Sequence, residues 1–365
     1  MKHKKIAIKY FIVISILIIG TLPTINFFQH VVKYDFKKIF NTEKIEMYVN
    51  YGFYKIFNQS LEQNSVITGK DDFLFLGGKY DNVLHKTNGI FRPTNTEINK
   101  WTDKLKNIQA WYEARGIKFT IVIAPNKHTI YREKLPNWMR YDGGTVTDDI
   151  VRMSNKKNIN LVDLRKFFIS QKSDEKLLYN KFGTHWNRYG ASLGYNETIE
   201  HINQYYKSNI KKTTYKVFDN LKGHDRGLIR FLKLKEQFSN IYENEYTFNL
   251  KNKLCYGDID KKTFILDKCK IVNNPTIKPN KKPSYIINAE ADNNETLLLL
   301  GDSYMGANSK LYNSTFSKVF RWHDGGLNGK PLSDFILKNK PSIVIYQLVE
   351  RRLYNNGIVK KLPDS

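Results

Sequence analysis

Thr296-Leu-Leu-Leu-Leu300-Gly301-Asp302-Ser303-Tyr304 is the stretch on which the reading of this chain turns. Four consecutive leucines show no helical or alternating period, so the run reads as a dry strand. The turn after it places a serine where strand gives way to helix. A serine on so sharp a turn exposes its hydroxyl and aims its backbone N–H outward, as an oxyanion hole requires. Asp and Ser are also ordinary helix caps, so Gly-Asp-Ser alone is compatible with plain capping.

The same rhythm extends outward on both sides. Phe316 to Trp322 and Ser342-Ile-Val-Ile-Tyr346 read as further strands, with a helix-like Pro331 to Asn339 between them. Upstream, Thr94-Asn-Thr-Glu97 is a capping-box pattern. It opens a helix with Ile98, Trp101, Leu105, Ile108 and Trp111 on one face, stopped by Gly116. Ile117 to Ala124 is then a buried strand ending at Pro125, Ile159 to Asp163 a short one, and Trp186 to Tyr205 a helix. Val66 to Leu76 alternates across a Gly-Lys-Asp-Asp turn, as a β-hairpin does. Alternating strands and amphipathic helices predict an α/β fold, a largely parallel sheet with helices on both faces. Residues 208–294 break the rhythm and read as a polar insertion without an assignable function.

Composition narrows the function classes. The 365 residues are 41% apolar and 14% aromatic, which excludes wholesale disorder. The net charge of +24 suggests a polyanionic partner, but the lysines are dispersed. Only short pairs such as Lys211-Lys212, Lys261-Lys262 and Lys281-Lys282 occur, and no nucleic-acid motif accompanies them. Nucleic acid is therefore not an expected partner. No His-x-x-x-His or carboxylate cluster of ligand spacing stands out, so no metal or cofactor is expected.

The N-terminus sets the compartment. Lys2, Lys4, Lys5 and Lys9 precede an apolar run from Tyr10 to Leu22 that continues to Phe28, an arrangement that inserts with its basic end in the cytoplasm. No small-x-small cleavage site follows, so residues 1–28 are expected to be an uncleaved signal anchor, with a cleaved signal peptide as the alternative. The expected localisation is single-pass in the inner membrane, with 29–65 juxtamembrane, 66–355 the exported (periplasmic or otherwise extracytoplasmic) domain, and 356–365 a tail. In that compartment Cys255 and Cys269 read either as a disulfide closing a loop of about 15 residues, worth roughly 3 kcal/mol, or as two free thiols.

Ligands of open α/β sheets bind at the carboxyl ends of strands. Ser303 is one residue so placed, and Gly183-Thr-His185-Trp-Asn187 offers a histidine at the start of a helix. His128, in Pro125-Asn-Lys127-His128, and His323 compete for the role of base, and the residues alone do not choose among the three.

These pieces together resemble a known family, the exported SGNH-hydrolase-like proteins typified by the alginate O-acetyltransferases of the J and X kind. In order they are Val66 to Phe75, Ile123-Ala-Pro-Asn-Lys-His-Thr-Ile-Tyr131 with Leu135-Pro136, Thr184-His-Trp-Asn187 with Gly190-Ala191, Gly301-Asp-Ser303, and Pro341 to Arg351. The resemblance implies a circularly permuted SGNH fold, Ser303 as nucleophile, His185 as base, and acetyl transfer to a cell-surface polysaccharide. It implies a membrane-bound O-acyltransferase as the partner supplying acetyl groups, and it suggests Lys127, Tyr131 and Arg351 as residues lining the site. Arg351 is also a candidate to pair with Glu350 or Asp302. The J kind, without a carbohydrate-binding module, is the nearer match.

One departure stands out. The family places an aspartate two residues before the histidine, and this chain has Gly183. Removing the acidic member of a Ser-His-Asp triad costs about 10⁴-fold in rate. Three readings stay open: another acceptor replaces it, Asp174 being near in sequence; the enzyme works as a dyad; or catalysis is lost and glycan binding kept. An exported carbohydrate acetylesterase is the remaining alternative.

Overall fold

The computed structural model describes residues 2–28, 38–223, 227–250, 253–275, 283–324, 329–355, 359–360 and 362–363. The Lys281-Lys282 pair, residues 29–37 of the juxtamembrane stretch and most of the 356–365 tail lie outside them.

Helix α1 (Lys2–Phe28) contains a 21-residue apolar stretch, Ile8–Phe28, of mean hydropathy 2.2. At 1.5 Å per residue it is about 31 Å long, enough to cross a bilayer core. Helix α2 (Glu43–Phe57) follows. The hairpin β1 (Val66–Thr68) and β2 (Leu74–Leu76) pairs antiparallel as the alternation predicted, with Asp71 and Asp72 taking left-handed turn conformations. After α3 (Val83–Thr87) comes α4 (Asn95–Glu113), whose capping box is complete: Thr94 Oγ1 accepts from Glu97 N, and Glu97 Oε2 accepts from Thr94 N at 2.8 Å. Gly116 stops the helix at φ +68°, a conformation glycine reaches without a Cβ penalty.

The chain continues through β3 (Lys118–Ala124), α5 (Lys127–Ile130), α6 (Val146–Lys156), β4 (Leu161–Asp163), α7 (Arg165–Gln171) and α8 (Arg188–Tyr206). Helix α8 starts two residues later than expected because Asn187 is its cap, accepting from Gly190 N at 2.9 Å. Next come β5 (Val217–Gly223), α9 (Gly227–Phe231), β6 (Glu243–Phe248), β7 (Lys253–Asp258), β8 (Lys270–Asn273) and β9 (Ser284–Ile287). Last are β10 (Asn293–Gly301), α10 (Met305–Thr315), β11 (Phe316–His323), α11 (Gly329–Asn339) and β12 (Ile343–Val349).

Eight strands form one sheet in the order β4-β3-β12-β10-β11-β9-β7-β8. The first five are mutually parallel, as predicted, and the last three are antiparallel. The sheet is therefore mixed, and β7, β8 and β9 come from the stretch read as a polar insertion. β7 is half-covered and β8 almost bare, so their composition is polar where the parallel strands' is not, whereas β9, beside β11, is buried at three of its four residues. Cys255 in β7 is joined to Cys269, Cα to Cα 5.3 Å, which settles the two open readings in favour of the disulfide.

Strand β10 lies in the middle of the sheet, and its leucines alternate between the two cores. Leu297 and Leu299 join α7, α8 and α10; Leu298 and Leu300 join α4, α6 and α11. All four are at most 3% exposed, the burial on both faces that an unbroken apolar run requires. Helices cover both faces of the sheet, and the parallel strands β3, β12, β10 and β11 all end at the same edge.

Candidate active site

At that edge β10 meets β12 so closely that Gly301 has no room for a side chain. Its φ is +150°, and a Cβ there would lie 1.8 Å from the Gln347 carbonyl oxygen of β12. The turn beyond it is held by Asp302, 3% exposed, whose backbone N–H donates to Gln347 O at 3.2 Å. The Asp302 carboxylate accepts from Tyr304 N at 3.0 Å and from Val349 N at 2.8 Å. Ser303 is left at the tip, before α10. Its hydroxyl does not cap that helix; it meets His185 Nε2 at 2.7 Å, which sets the capping reading of Ser303 aside. The Ser303 N–H has no acceptor among the described residues, so it is available as an oxyanion donor.

Two more bonds clasp the loops that carry this pair. Tyr304 Oη donates to Thr184 O at 2.7 Å, and Trp186 Nε1 donates to Tyr304 O at 3.0 Å. The Tyr304 ring lies 4.8 Å from the His185 ring, and burial pushes its phenol up to about 12, so it stays a donor at neutral pH.

Residues 180–183, which lead to His185, are held by charged groups of opposite sign. Lys127, 2% exposed, directs its ammonium at four backbone carbonyls: Leu74 at 2.8 Å, Asn180 and Lys181 at 2.6 Å, and Gly183 at 3.1 Å. Phe73 and Phe75 flank it at 5.2 and 5.4 Å. Glu243, at the start of β6, accepts instead from the amides of Lys181 and Phe182. Leu74 N and Leu228 N donate to Lys181 O and Phe182 O.

The other expected site residues lie beneath the rim. Lys127 and Tyr131, expected to line the site, are buried too deeply to meet a substrate. Tyr131, 1% exposed, packs its ring 5.0 Å from Phe73 and accepts from Leu178 N at 2.8 Å. Arg351 stacks 5.7 Å from the Tyr304 ring, donates to Asn126 Oδ1 at 3.3 Å and lies 3.6 Å from Asp81. Its expected pairing with Glu350 or Asp302 is corrected: Arg165 is 3.7 Å from Glu350, and Arg352 is 3.9 Å from Asp302. Asp174 is exposed, beside a surface pocket with Leu177 and Asn180.

The two rival histidines have other partners. His128 Nε2 bonds to Leu76 O at 2.9 Å, and burial pushes its imidazole down to about 3, so it stays neutral. His323 lies 3.3 Å from Asp324, which Arg352 holds at 2.7 Å. Sequence reading missed Tyr304, Asp302 and Glu243 as contributors. The aromatic after Gly-Asp-Ser was a usable signal for Tyr304, but Glu243 sits in a stretch with no recognisable pattern.

A model of the SGNH hydrolase-like domain of the acetyltransferase AlgX matches residues 66–252, just over half of the chain. The match contains Lys127 and His185 and stops before Ser303. No curated protein matches the sequence. Among solved structures, Bacillus cereus PatB1 with a sulfonyl adduct superposes with a TM-score of 0.59 at 17% identity, covering 81% of this chain and 99% of that one. A DHHW family protein from Eubacterium siraeum DSM 15702 gives 0.58 at 13% identity, covering 84% and 98%. The O-acetyltransferase domain of Pseudomonas putida AlgJ gives 0.49 at 17%, covering 79% and 92%. At these identities the first two likenesses establish a shared fold.

Proposed function

The chain belongs to the AlgX family of SGNH hydrolase-like acetyltransferase domains, and on that premise we propose that it acetylates hydroxyls of an extracytoplasmic polysaccharide through an acyl-Ser303 intermediate. The observation that carries this reading is the 2.7 Å bond between Ser303 Oγ and His185 Nε2, across 118 residues of chain.

Nε2 accepts the hydroxyl proton when the imidazole carries its own proton on Nδ1. Ser303 Oγ then attacks the carbonyl carbon of an acetyl donor, and the developing oxyanion meets the Ser303 N–H. The donor's acyl bond breaks, and the imidazolium returns the proton to the leaving group. A sugar hydroxyl enters, gives its proton to Nε2, and attacks the acetyl-serine. The ester bond to Ser303 breaks, Oγ regains a proton from the imidazolium, and the acetylated sugar leaves. Lys127 and Glu243 act on the backbone behind His185 and are positioning residues. In the compartment that α1 implies, the donor is a membrane-bound O-acyltransferase, and the net charge of +24 suits an anionic glycan.

Full-length protein with Ser303→Ala or His185→Ala tests this. Each change is expected to abolish acetylation of the surface polymer in cells while protein level and melting temperature hold. Unchanged acetylation in Ser303→Ala cells would overturn the proposal. Purified enzyme that hydrolyses an acetyl ester quickly yet transfers nothing to added glycan would identify an esterase instead.

A further inference from the structure

Helix α2 has two apolar faces, and among the described residues only one of them is covered. Met47 and Tyr54 point inward, where Tyr54 meets Phe238 edge-on at 5.5 Å in the same cluster as Phe182. Lys44 pairs with Glu236 at 3.1 Å and Lys233 pairs with Glu46, tying both flanks of the helix to the loop after α9. The opposite side, again at helical spacing, presents Tyr48, Val49 and Ile56, which are 56%, 53% and 74% exposed. Phe57 and Phe40 extend the strip. A contiguous row of large apolar side chains on a helix already docked by its other face marks a surface with a partner.

The partner follows from where α1 ends. Asn26, 1% exposed, donates its side-chain amide to Ile39 O at 2.7 Å and Asn41 O at 2.9 Å. The last turns of the apolar helix are thus bonded to the turn that opens α2, which places the strip where the chain emerges from a bilayer. Lys38 and Lys55 are exposed beside it, suited to anionic headgroups.

We propose that α2 lies in the membrane surface, with Tyr48, Val49 and Ile56 at the boundary between headgroups and acyl chains. Helices α1 and α2 then form one lipid-facing unit. This rests on reading α1 as a membrane anchor, and it adds a consequence for the active site. Tyr54 and Phe182 share a cluster, so the loop carrying His185 is packed onto a helix resting on lipid, within reach of a donor that works in the membrane.

Cys255 and Cys269 are joined and no cysteine is free among the described residues, so single introduced thiols can be labelled in the full chain. Val49→Cys, Ile56→Cys, Ile16→Cys in α1 and Lys104→Cys on the exposed face of α4 would carry the environment-sensitive dye NBD, in vesicles of phosphatidylcholine and phosphatidylglycerol. Labels at 49 and 56 are expected to be quenched by a shallow lipid nitroxide several-fold more strongly than the label at 104. Quenching equal to that at 104 overturns the proposal, as does shielding from aqueous iodide without lipid quenching, the result for a protein partner. Position 16 reports separately on the anchor: a label there in water sinks the anchor reading, whatever positions 49 and 56 show.

Discussion

The two loops that meet at the active site are built in opposite ways. Residues 301–304 are shaped by their immediate surroundings: a strand end, a glycine pressed against the adjacent strand, and an aspartate bonded to nearby backbone. Residues 180–183, leading to His185, have little local structure, and their backbone is held by side chains 53 to 62 residues away. The nucleophile loop owes its shape chiefly to the end of β10 and to the backbone of β12 beside it, whereas the stretch leading to His185 depends on remote charges. The first should fail all at once when its packing is broken, and the second should loosen by degrees.

Gly301→Ala tests the first loop and carries the largest expected effect. A Cβ 1.8 Å from a backbone oxygen forces β10 and β12 apart, and the substitution should cost about 4–5 kcal/mol or more, read as loss of folded protein or a collapse of Tm. Wild-type stability in this variant would show that the strand ends separate freely.

Lys127→Met tests the second loop. Withdrawing the ammonium strands buried carbonyls and should cost about 3 kcal/mol. In the fraction that still folds, displacement of His185 should slow labelling of Ser303 by a serine-reactive phosphonate about 10²-fold. A merely structural lysine would lower Tm and leave that rate unchanged for folded protein. Lys127→Arg should restore part of it.

His128 sharpens the comparison through pH. Its folded value is pushed down to about 3 from an ordinary 6.5, so the unfolded chain binds the proton more readily. Its stabilising contribution is whole above about pH 6.5 and is lost as pH falls toward about 3, at about 1.4 kcal/mol per pH unit. Urea titrations from pH 7 to pH 5 should show that slope diminished in His128→Asn. An unchanged slope would assign the acid sensitivity to other groups.

Glu243→Gln is the mildest change. It keeps an acceptor for the Lys181 and Phe182 amides and removes the charge, so about 1 kcal/mol should be lost, with a small fall in labelling of Ser303. A loss as large as that of Lys127→Met would mean the carboxylate, and not the ammonium, dominates the grip on this loop.

The parallel core was readable because burial on both faces demands an unbroken apolar run, as in Leu297 to Leu300, and because Thr94 and Glu97 mark a helix start within four residues. The antiparallel extension was not, since β7 and β8 are half-exposed and their residues obey no period. At the site, the choice among three histidines was invisible locally. His128 and His185 both lie in short polar segments, and only the fold separates the one sealed against Leu76 O from the one beside Ser303. Lys127 looked like a residue facing a ligand because its motif gives no sign that four carbonyls await it.

Hydrophobic period, capping and turn chemistry act over a few residues, so the primary structure alone was enough for the parallel strands, the apolar N-terminal helix and the serine turn. Which imidazole reaches Ser303, what holds the Gly183 loop without an aspartate of its own, and which face of α2 stays bare were decided only by tertiary structure. Each of those depends on groups far apart in sequence that become neighbours only once the sheet has closed over its two cores.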